Sequence, residues 1–67
     1  MAGTVFVKGQ IGSADGVRGA VQKLMRDLDD EAAKHGEAVV GDVTISEYTH
    51  PLLATPCLRL DAATQPR

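Results

Sequence analysis

Residues 14–35 read ADGVRGAVQKLMRDLDDEAAKH, and this stretch decides the fold. Val17, Val21, Leu24, Leu28, Ala32 and His35 recur at spacings of three and four. Residues so spaced lie on one face of a helix, and Ala20 and Met25 widen the stripe. Arg18, Gln22, Arg26, Asp29, Asp30 and Lys34 fall on the opposite face, where water can solvate them. The spacing therefore predicts one long amphipathic helix from Ala14 to His35. Ser13 is placed to cap its first amides, and Asp15 puts an anion in the first turn. Gly36 suits the position just past the last turn, where Lys34 and His35 offset the helix dipole.

The flanking segments read as strands. Thr4-Val5-Phe6-Val7-Lys8 is β-branched and aromatic. Val39 to Tyr48 alternates, with Val39, Val43 and Ile45 on one parity and Val40, Asp42, Thr44, Ser46 and Tyr48 on the other. Thr49-His50-Pro51 ends that strand, because proline cannot donate to a ladder and restricts its predecessor. Cys57 to Asp61 reads as a third strand, Leu58 and Leu60 inward. The expected fold class is α+β with element order β-α-β-β: one long amphipathic helix packed on one face of a three-stranded sheet. Residues 1–61 form the single domain and residues 62–67 a flexible C-terminal tail. That order is shared by several unrelated small oligomeric proteins, the flavin-binding dodecins among them. The likeness is one of topology and carries no ligand residues onto this chain.

Size and composition narrow the function classes. A domain of 67 residues with one Phe, one Tyr and no Trp must build its core from aliphatic side chains. Cores of this kind commonly need a staple. One cysteine excludes an internal disulfide, and His35 and His50 with Cys57 give no zinc-ligand spacing. Self-association is the remaining device, so a homo-oligomer, dimer or larger, is expected. A 22-residue helix would span ~33 Å against ~17–20 Å for a short strand, a mismatch that also argues for a second subunit. A lone thiol and the absence of a signal-peptide or membrane-spanning pattern point to the cytoplasm. A composition rich in Ala, Gly, Val and Asp with only three Lys points to a high-GC genome, such as that of an actinobacterium or one of its phages.

Candidate sites are few. Gly9, Gly12 and Ser13 lead from strand to helix, where backbone amides can receive an anion; they match no nucleotide-binding fingerprint, and an ordinary strand-to-helix turn with a serine cap is the favoured reading. The run Asp27, Asp29, Asp30, Glu31 reads as a solvated helix face. No partner orients His35 or His50 as a catalytic group, and Cys57 has no neighbour that would activate it. Neither an enzyme nor a bound cofactor or metal is implied. By parity, Phe6, Lys8, Val40, Tyr48 and Arg59 share the sheet face turned away from the helix. As a nucleic-acid platform, bases would stack on Phe6 and Tyr48 while Lys8 and Arg59 take phosphates. As an association face, the aromatics would bury against a second subunit or another protein. A net charge of −2 favours the latter. Leu52 and Leu53, in a proline-bounded loop, either join that contact surface or tuck under the sheet end. The expectation is a small, non-enzymatic, self-associating accessory protein that binds another protein, for instance a phage-encoded factor acting on a host. The alternatives are a nucleic-acid module or a small-ligand binder at the glycine turn or a subunit interface.

Overall fold

The computed structural model describes residues 3–12 and 15–67. Strand β1 (Gly3–Gln10) is followed by helix α1 (Gly16–Lys34), strand β2 (Glu37–Thr49) and strand β3 (Pro56–Pro66). All strand pairings are antiparallel and the sheet order is β1-β3-β2, so the last strand in sequence lies in the middle. The helix packs on one face. This is the expected α+β arrangement.

The core follows from the two periodicities. Leu24, Leu28, Ala20 and Ala32 line the inner side of α1 and are buried. They meet Val5 of β1 and Leu58, Leu60 and Ala62 of β3, with Val7, Ile11, Val21, Val39 and Val43 packed around them. The stripe is not buried throughout: Val17 and His35 at its ends are exposed, and Met25 on its flank is 37% exposed. Glycine closes the helix: Gly36 has φ 70°, and its N–H donates to Ala33 O at 3.0 Å. The expected start at Ala14 and the Ser13 cap lie outside the described residues.

Strand lengths overturn one expectation. Strand β3 has 11 residues and so spans ~36 Å. The 19-residue helix spans ~28 Å. The sheet outreaches the helix, so the argument for a partner from an overhanging helix does not hold. The supposed tail at 62–67 is also ordered: β3 continues to Pro66, and the Arg67 N–H donates to Gly36 O at 3.1 Å. Its inward residues there are Ala62 and Thr64, too small or too polar to register as a hydrophobic pattern. Both are buried, and the Thr64 hydroxyl donates to Glu37 Oε1 at 3.1 Å.

Strand β2 carries a wide irregularity. Val40 faces Ala63 and Thr44 faces Asp61, so Gly41, Asp42 and Val43 all oppose Ala62. Gly41 sits at φ 72°, a conformation costly for residues with a Cβ. Two extra residues leave the alternation in phase. Thr44 and Tyr48 consequently stay on the face of Val40.

The open sheet face as candidate interaction surface

The registers assemble the outer face in four rows across β1, β3 and β2. The first is Thr4, Ala63 and Val40, and the second is Phe6, Asp61 and Thr44. The third is Lys8, Arg59 and Ser46, and the fourth is Gln10, Cys57 and Tyr48. Directly opposed residues share a face, so this set is fixed by pairing and alternation alone.

The side chains form one cluster. The Arg59 guanidinium carbon lies 4.3 Å from the centre of the Phe6 ring. Lys8 Nζ stands 5.7 Å from the Phe6 ring centre and 5.9 Å from that of Tyr48. Both contacts fall within the range of a cation–π attraction. Arg59 Nε donates to Asp61 Oδ1 and Oδ2, each at 3.0 Å, and Nη2 donates to Oδ1 at 2.9 Å. These hydrogen bonds hold the guanidinium above its already high ordinary pKa, so it remains charged. Lys8 enters no ion pair among the described residues. Burial against the sheet pushes the Tyr48 phenol above its ordinary value; the Cys57 thiol beside it adds to the shift and Arg59 opposes it. Cys57 itself is buried on this face, its Sγ 3.6 Å from Thr55 O.

The four residues Phe6, Lys8, Tyr48 and Arg59 are thus brought together, and Val40 shares their face from the first row. Phe6 remains 51% exposed. Leu52 and Leu53 are elsewhere. They occupy the tip of the β2–β3 hairpin, 88% and 58% exposed, and do not tuck under the sheet. That tip is held by a device with no obvious sequence signal beyond the His-Pro dipeptide. His50 Nδ1 accepts the N–H groups of Leu52 and Leu53, each at 3.1 Å. The imidazole proton must therefore sit on Nε2. The backbone closes the loop with His50 N–H to Thr55 O and Ala54 N–H to His50 O, both 2.9 Å.

Of the residues read as a glycine turn, Gly9 belongs to the strand. It lies opposite Leu58, facing the helix, and a Cβ there would stand 2.9 Å from Leu24 Cδ2. Its role is close approach of helix to sheet. The Gly12 carbonyl accepts the Gly16 N–H at 2.9 Å, taking up one amide at the helix start. Ser13 lies outside the described residues. His35 approaches Glu31 at 3.7 Å on the helix surface. Among the described residues no three His, Cys, Asp or Glu side chains are grouped to hold a metal ion, and no helix is long and apolar enough to cross a membrane.

Among the described residues the outer face thus presents aromatic surface, a buried thiol and a charge pair. Compared with known protein families, curated proteins and solved structures, the chain has no significant match.

Proposed function

We propose that the chain is a non-enzymatic protein-interaction module that self-associates through its open sheet face. One observation carries this reading. The only Phe and the only Tyr of the chain both lie outside the aliphatic core, side by side with two cations on an uncovered face. A small domain normally gains most by burying its large aromatics. Aromatics and arginine clustered on a surface are what contact surfaces enrich. Leu52 and Leu53 at the hairpin tip add apolar area for the same use. A reducing compartment such as the cytoplasm suits the buried free thiol of Cys57.

Sedimentation velocity over a range of concentrations tests the proposal. The wild-type chain should associate, and Phe6→Ala should weaken association roughly tenfold or more while keeping the far-UV circular dichroism. A wild-type chain that stays monomeric throughout would refute it.

A nucleic-acid reading uses the same four residues and draws support from Lys8, which no carboxylate neutralises among the described residues. Against it, Arg59 already stacks on Phe6, the ring a base would need, and Asp61 and Asp42 on the same face repel a phosphate backbone. Absence of binding to single-stranded RNA or DNA at low salt would eliminate this reading.

A further inference from the structure

The open face is electrically divided along its strands. Its third row holds Lys8 and Arg59. Its second row holds Asp61, and Asp42 from the β2 irregularity lines the same hollow as Asp61, Thr4 and Thr44. Positive and negative groups are therefore nearly balanced, which gives little attraction for a strongly charged partner. A second copy of the same face can complement it if turned end for end.

Building on the self-association proposed above, we infer that the occupant is a second copy related by a two-fold axis. The axis lies in the interface, runs across the strands and passes between the second and third rows. That rotation lays the third row of one copy over the second row of the other. Arg59 then faces the partner's Asp61, and Lys8 faces the partner's Phe6. In the outer rows Tyr48 faces the partner's Val40. Every such contact occurs twice, as a two-fold interface requires. An axis along the strands would instead bring Arg59 onto the partner's Arg59 in a desolvated setting, which is strongly unfavourable.

One feature of the chain fits this arrangement. Arg59 uses only Nε and Nη2 on its own Asp61, leaving the Nη1 donors of its planar fork for a second carboxylate.

Charge exchange between chains tests the geometry, read by sedimentation velocity. Arg59→Glu alone and Asp61→Arg alone should each weaken association roughly tenfold or more, because like charges meet across the axis. An equimolar mixture of the two should recover association to about the wild-type level, since both cross-axis pairs become opposite in sign. The internal pair stays broken in both chains, so recovery reports contacts between copies. If a single variant fails to fold, the double variant Arg59→Asp/Asp61→Arg restores the internal pair. It should self-associate like the wild type yet form no mixed species with it. A dimeric wild type with no recovery in the mixture, or with free mixing of the double variant and wild type, overturns this two-fold arrangement and leaves self-association standing. A monomeric wild type overturns both.

Discussion

Truncating Leu60 and truncating Phe6 to alanine should affect stability in the reverse order of the side chains' sizes. Leu60 is fully buried in the middle strand beneath α1. Leucine-to-alanine changes at such sites cost ~2–5 kcal/mol through lost burial and the cavity left behind. A domain of this length is held by only ~3–10 kcal/mol in total, so Leu60→Ala should remove a large part of it. Phe6 is 51% exposed. Full burial of such a side chain contributes ~1.5–3 kcal/mol, so about half of that is at stake, plus ~0.5–1 kcal/mol for the Arg59 contact at a partly exposed site. Phe6→Ala should therefore cost ~1–2.5 kcal/mol in the isolated chain. The assay is urea unfolding followed by far-UV circular dichroism at concentrations where the chain is monomeric. With a slope near ~1 kcal/mol/M for so small a protein, the midpoint should fall by ~2–5 M for Leu60→Ala and ~1–2.5 M for Phe6→Ala. Equal losses, or a larger loss for Phe6, would show that Phe6 is part of the structural core. The reasoning that sets its face aside for a partner would then fail.

Two further outcomes follow from local geometry. His50→Ala should speed amide hydrogen exchange at Leu52 and Leu53 while changing global stability by about 1 kcal/mol or less, and His50→Asn, which supplies another acceptor, should restore much of the protection; unchanged exchange in His50→Ala would dismiss the imidazole as the clamp. Tyr48, the only tyrosine, should titrate above its ordinary 10.0 when followed by phenolate absorbance. A raised value means that the folded state holds the phenol proton more tightly. The associated stability is therefore complete below pH ~10 and is lost as pH rises through the shifted value. Tyr48→Phe should remove that part of the alkaline loss, and an identical alkaline slope in the variant would contradict the assignment.

The helix and the open face were legible in the sequence for different reasons. In the helix, Ala20, Leu24, Leu28 and Ala32 repeat every four residues, and burial follows the repeat wherever the sheet lies beneath. On the open face, parity was enough. Phe6, Lys8, Tyr48 and Arg59 alternate with inward residues on three strands, and the β2 irregularity adds an even number of residues. What escaped depends on long-range pairing. The central position of β3 has no local signature. Its continuation through Ala62 and Thr64 lacks large apolar residues, although both are buried, Ala62 in the core cluster and Thr64 against Glu37 of β2. The bidentate hold of Asp61 on Arg59 links alternate residues of one strand, a spacing that a sequence shows but whose rotamers it does not. Gly9 looked like part of a turn, whereas a backbone pressed against Leu24 is a tertiary demand.

Because β3 is the strand between the other two, β1 and β2 have no hydrogen-bonded partner until it arrives. During synthesis the helix can coil early, but no two strands of this sheet can zip while the ribosome is still short of Pro56. Thr64 is the register partner of both Gly3 and Val39, so sheet assembly waits on residues some sixty positions downstream of its first strand. Loop closure over such separations slows folding and leaves apolar strands waiting uncovered. A chain interrupted before Pro56 would not lose one edge of its sheet; it would be left with two edges and no middle.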